Sequence, residues 1–150
     1  MTSAKTNIKD AIGNTPMVEF KNIVPANSAR IMAKLESANP TGSMKDRMAK
    51  AVIEGAERKG FIKPGSTIVE YTAGTTGISL AFVCASLGYN FHAVFSDAFS
   101  NEKRITMKAF GATITDVLSD NKKITESLIK EMIETSGSLV NRKITGGQTN

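Results

Sequence analysis

The sequence predicts an α/β fold, a three-layer open parallel sheet with helices on both faces, and three observations carry that prediction. Short runs rich in β-branched and aromatic residues alternate with longer runs of helical periodicity, the pattern of a parallel sheet covered by helices. Gly60, Gly88 and Gly111 each follow a helical run, where a left-handed residue closes the helix before the next strand. In the last helical run, Ile124, Leu128, Ile129 and Met132 recur at three-to-four spacing, which is one apolar stripe.

In chain order, the expected strands are Met17–Phe20, Arg30–Leu35, Thr67–Tyr71, Phe91–Phe95 and Thr113–Val117. The expected helices are Met44–Lys59, Thr76–Leu87, Asn101–Phe110 and Ile124–Thr135. Loop-like openings fall around Pro25–Ser28 and Asn39–Ser43, and the chain has neither an internal repeat nor a low-complexity segment.

With 150 residues, 41% of them hydrophobic, the chain can bury one ordinary core. Its formal net charge is +5, but Lys and Arg are spread along it and mixed with Glu and Asp. That distribution, with no helix-turn-helix, zinc-finger or RNA-binding signature, argues against nucleic acid as a partner. Cys84 is the single cysteine and lies in the apolar run Ile78–Leu87, so it reads as a buried thiol in a reducing, cytoplasmic compartment. Met1–Asp10 has no apolar core of signal-peptide length, and no stretch approaches the roughly 18 apolar residues that span a bilayer. Neither secretion nor a membrane partner is expected.

The chemistry begins at the second loop. From Lys34 to Arg47 a strand runs through an Asn39-Pro40 and Gly42 turn into a helix, with Ser43 read as its N-cap and Asp46 in the first turn. Lys45 then stands at the positive end of a helix macrodipole, which disfavours a cation. The neutral amine so favoured is the form that attacks an aldehyde to make a Schiff base. Taken alone, such a lysine is ordinarily a solvated surface residue.

A second loop changes that weighting. Glu70-Tyr71-Thr72-Ala73-Gly74-Thr75-Thr76-Gly77 again joins a strand to a helix, and its free N–H groups and hydroxyls suit an anion such as a carboxylate. Both loops are expected to follow strands that neighbour each other in the parallel sheet. Lys45 and Thr72–Gly77 would then line one crevice beyond the carboxyl ends of the strands.

These residues resemble the fold-type II pyridoxal 5'-phosphate (PLP) enzymes, specifically the cysteine synthase and cystathionine β-synthase branch. The matching pieces are Ile12-Gly13-Asn14-Thr15-Pro16, the block running from Lys34 and Glu36 through Asn39-Pro40 and Ser43 to Lys45-Asp46-Arg47, and the Thr72–Gly77 loop. Ser96-Asp97-Ala98 and Lys108–Ala112 continue the similarity in order. The resemblance implies that Lys45 carries PLP and acts as base on the substrate α-proton. It implies that Thr72, Ala73, Gly74 and Thr76 bind the substrate carboxylate, with Thr72 and Thr76 as hydroxyl donors. The chain departs from the pattern at Ala73 and Thr75, where the family has Ser and Asn. In the family that Asn hydrogen-bonds the cofactor's phenolic oxygen, and Thr75 is expected to replace one such bond through its hydroxyl without supplying the amide's geometry.

The implied reaction is β-elimination on an activated serine followed by addition of sulfide, with an amino acid substrate, a sulfur donor and a homodimeric assembly. A serine or threonine dehydratase is the neighbouring alternative. By the same resemblance, residues 1–37 belong to a large domain, residues 38–147 form a small α/β domain, and the large-domain remainder, with its glycine-rich phosphate loop, is absent. A non-catalytic remnant or docking module is therefore a further reading. The run Ile12–Phe20 is expected to lack sheet neighbours and to favour self-association. His92 reads as structural, Met44, Met48 and Met107 as fillers of core or crevice, and Lys122-Lys123 as part of a solvated face.

Overall fold

The computed structural model describes residues 7–144, with side chains described through residue 141. Its centre is the strand Asn90–Ser96 (β4), which is apolar on both faces. Phe91, Ala93 and Phe95 point into one cluster with Leu80, Val83, Cys84 and Met107. Val94 points the other way, into a cluster with Val117, Leu128 and Met132. A strand buried on both faces needs helices on both sides, which is why the sheet is the middle of three layers.

Thr67–Tyr71 (β3) and Thr113–Val117 (β5) flank β4 in parallel, in the order β3-β4-β5. Thr75–Leu87 (α2) covers one face and Asn101–Ala109 (α3) packs beside it. Glu126–Ile144 (α4) covers the opposite face. Gly88, at φ +78°, closes α2 in the left-handed region as the sequence indicates, and Gly60 and Gly111 also have positive φ. His92 on β4 contacts Thr115 on β5 (Nε2 to Oγ1, 2.8 Å), consistent with a structural role.

Four expectations about the elements are corrected. Met17–Phe20 (β1) and Ile31–Lys34 (β2) are not in the parallel sheet but form a separate antiparallel pair, Met17 opposite Lys34 and Phe20 opposite Ile31. The connection across residues 21–30 contains no helix, so it cannot make the crossover that a parallel pair requires. β1 therefore has a sheet neighbour, while Met17, Phe20, Ile31 and Met32 stay exposed. Nor does the strand before Lys45 neighbour β3: Lys45–Arg58 (α1) packs mainly on α2 instead of bridging two strands of one sheet.

The last helix also runs past Thr135 to Ile144, through Gly137. A mid-helix glycine costs about 1 kcal/mol, and Leu139, one of the apolar residues packed against the Val94 cluster, rewards the continuation. Met44 is exposed, whereas Met107 is fully buried. Among the described residues no helix is long and apolar enough to cross a membrane.

Candidate functional site

The residues around Lys45 divide into a clamp and a bridge. In the clamp, Asn39 accepts the Gly13 N–H through Oδ1 (2.9 Å) and donates through Nδ2 to the Glu36 carbonyl (2.9 Å) and to Glu36 Oε2 (2.8 Å). Arg47 donates from Nε to Glu36 Oε2 (2.8 Å) and from Nη2 to Glu36 Oε1 (3.0 Å), a bidentate pair. Thr15 donates to Glu36 Oε1 (2.7 Å) and accepts from Arg47 Nη2 (3.0 Å). The Arg47 guanidinium and then the Thr15 hydroxyl hold the Glu36 carboxyl down at about 2. Gly13, Thr15, Glu36, Asn39 and Arg47 thus fasten the N-terminal segment to the start of α1.

The bridge is Asp46, a fully buried carboxylate. It accepts the Thr41 N–H (2.9 Å), the Thr41 hydroxyl (2.5 Å) and the Ser79 hydroxyl (2.6 Å). Thr41 lies in the turn before Lys45 and Ser79 in the second turn of α2, so one carboxylate ties the lysine-bearing turn to the helix behind the second loop. Helix α1 starts at Lys45 with Met44, not the expected Ser43, at the N-cap position and without a side-chain cap; Ser43, one residue further out, accepts the Lys45 N–H at Oγ (3.1 Å). Lys45 is half-buried. Among the described residues its amine forms no hydrogen bond or ion pair.

The second loop hangs from β4, where the Thr72 N–H donates to the Val94 carbonyl (3.0 Å). The buried Thr72 hydroxyl turns back into its own loop, accepting the Gly77 N–H (3.0 Å) and, at longer range, the Gly74 N–H (3.4 Å). The N–H groups of Ala73, Thr75 and Thr76 have no acceptor among the described residues, as expected at a helix start that lacks a side-chain cap for them. Thr75 and Ala73 are exposed and Thr76 half-buried. The loop therefore presents three open donors at the positive end of α2, an arrangement suited to a carboxylate.

One residue escaped the sequence reading. Lys103, on α3, brings its ammonium within 3.6 Å of where a Cβ on Gly74 would stand. No carboxylate pairs with it among the described residues. A lysine in an amphipathic helix offers no signal that it will meet a loop so far away in sequence. A cavity of about 250 Å³ opens at the carboxyl end of β4, lined by Ser96, Asp97, Asn101, Arg104 and Lys122 among others. A larger one, about 470 Å³, lies between β5 and α4, and neither Lys45 nor the 72–77 loop lines it.

Comparison with known proteins places this geometry. The family model described as pyridoxal-phosphate dependent enzyme matches residues 8–144. Cysteine synthase from Staphylococcus aureus is 48% identical over 128 residues, covering 85% of this chain and 41% of the relative. O-ureido-L-serine synthase from Streptomyces lavendulae is 46% identical over 108 residues, covering 72% of this chain and 33% of the relative. The crystal structure of a lysine-to-alanine variant of O-ureido-L-serine synthase, with O-ureido-L-serine bound, superposes with a TM-score of 0.80 at 37% identity over 93% of this chain and 41% of that one. The chain thus spans about two fifths or less of the length of these relatives.

Proposed function

The chain belongs to the pyridoxal-phosphate dependent enzymes, and from that membership we propose that it forms the lysine-bearing and carboxylate-binding part of a cysteine synthase-like enzyme. That enzyme would replace the leaving group of an activated serine with sulfide from a sulfur donor. The observation that carries the proposal is the free, half-buried amine of Lys45 at the start of α1, with Asp46 next to it bonded at 2.6 Å to the helix behind the open donors of the 72–77 loop.

When bound, PLP supplies the electron sink for carbanion chemistry at an amino acid Cα. The residues fit part of that group. Lys45 Nζ would hold its aldehyde carbon and, once displaced there by the substrate amine, would be the free amine that takes the proton from the substrate Cα. The N–H groups of Ala73, Thr75 and Thr76 would bind the substrate carboxylate, with Thr72 and Gly74 shaping the loop, and the exposed Thr75 hydroxyl would take the place of the amide that the family has there. Among the described residues there is no second cradle for the phosphate, and on this reading that grip belongs to the large domain. The division at residues 37 and 38 is part of the same proposal, as are an amino acid substrate and a cytoplasmic setting, the latter supported by the buried free thiol of Cys84.

The test is a PLP titration of the chain, borohydride reduction and mass mapping. Stoichiometric labelling of Lys45 supports the reading, whereas labelling spread over many lysines, or none, overturns it for this chain.

A second reading is a module of the same fold that docks on a partner. The exposed apolar residues of the β1–β2 pair support association, as a homodimer or with such a partner. A clean monomer in sedimentation would count against the homodimer.

A further inference from the structure

We propose that Asp46 is a positioning residue that sets Lys45 opposite Thr75 by bonding Ser79 and Thr41 at once, and so orients the cofactor held at Lys45. This role rests on the cofactor reading above. Asp46 is 0% exposed and forms no salt bridge among the described residues. A carboxylate buried without a cation is costly unless hydrogen bonds satisfy it. Three donors do so here, and the first turn of α1 adds the favourable end of its dipole. An apolar side chain could fill the same volume without that desolvation cost. What a carboxylate adds is direction, because its oxygens accept only from donors placed where Thr41 and Ser79 stand.

The consequence reaches the loop through helical geometry. Thr75 and Ser79 are four residues apart on α2 and share a face. Ser79 faces Asp46, so Thr75 lies on the same stripe, one turn nearer the start of α2. Lys45 precedes Asp46 at the start of α1. The 2.6 Å bond between Asp46 and Ser79 therefore ties the two helix starts together, and on this proposal it sets where the Lys45 amine stands relative to the Thr75 hydroxyl. Thr41, within 3.4 Å of Ser79, closes the arrangement from the turn side.

The experiment compares the wild-type chain with Asp46→Asn, Ser79→Ala and the double variant. Each is titrated with PLP, the induced circular dichroism of the bound cofactor is recorded, and the modified lysine is mapped after borohydride reduction. Far-UV circular dichroism monitors the fold. The expected result is labelling still confined to Lys45, a diminished cofactor dichroism and about tenfold weaker PLP affinity in each single variant, the loss typical of one charge-assisted hydrogen bond. The double variant is expected to be no worse than the more affected single one, because both substitutions act on the same Thr41–Asp46–Ser79 arrangement. Ser79→Ala removes only a hydroxyl and keeps the test decisive if Asp46→Asn does not fold.

Lys45 labelled with wild-type affinity and dichroism in both single variants overturns the positioning role and leaves the cofactor reading standing. A wild-type chain unlabelled at Lys45 overturns the cofactor reading, and the role of Asp46 with it.

Discussion

The Thr72 hydroxyl oxygen accepts the Gly77 N–H at 3.0 Å, and it also lies 3.0 Å from the point a Cβ on residue 77 would occupy. The bond that shapes the 72–77 loop thus requires the absence of a side chain at its end. Gly77 is needed for close approach, not for an unusual φ.

Gly77→Ala is accordingly expected to destabilise. Its methyl would stand 2.5 Å from Thr72 Cγ2 and 2.6 Å from Met107 Sδ, a buried residue with little room to retreat. Overpacking of this kind costs about 1–3 kcal/mol, more than the gain of about 1 kcal/mol from alanine's helix propensity. Urea melts should show a lower midpoint, and an unchanged or raised midpoint would refute the contact.

Acid should act through Glu36. Its carboxyl, ordinarily near 4.5, is held at about 2, first by Arg47 and then by Thr15. Because the folded value is the lower one, the stabilisation is complete above about pH 4.5 and is lost as pH falls through about 2. Arg47→Met should flatten that acid limb. Urea midpoints measured from pH 6 downward check this, and an acid limb as steep as in the wild type would show that the pair does not govern it.

Cys84 should be silent in the folded chain. Burial pushes its thiol up to about 12, and only the thiolate attacks a disulfide reagent. Ellman's reagent at neutral pH should react slowly before urea is added and fully afterwards. Fast reaction in the native state would mean that α2 does not pack as described.

Lys103 should matter for anions. With the cofactor bound at Lys45, Lys103→Met is expected to raise the amino acid concentration that shifts the cofactor spectrum by about two- to fivefold, the scale of a solvent-screened charge contact. Labelling of Lys45 by PLP should not change. Equal amino acid affinity in the variant would exclude Lys103 from the carboxylate site.

The α/β class, the five strands, the helix-closing glycines and both loops were legible in the sequence, because each leaves a local trace. The alternation of Phe91, Ala93 and Phe95 with Val94 marks β4, and the glycine after each of the first three helical runs marks where its helix ends. The role of the motif residues was less legible. Gly13, Thr15, Glu36, Asn39 and Arg47 are a recognisable pattern, yet nothing in their spacing says that they clamp a segment to a helix and leave the chemistry to Lys45.

What the sequence by itself determined is the set of elements and the chemical types held at their ends: a lysine at one helix start, and glycine and threonine at another. The tertiary structure decided which elements meet. It set β1 and β2 apart from the parallel sheet, carried α4 through Gly137 because Leu139 had a core to reach, joined Asp46 to Ser79, and laid Lys103 over Gly74. Periodicity and propensity act over a few residues, whereas a hydrogen bond between residues on different helices exists only after those helices have packed.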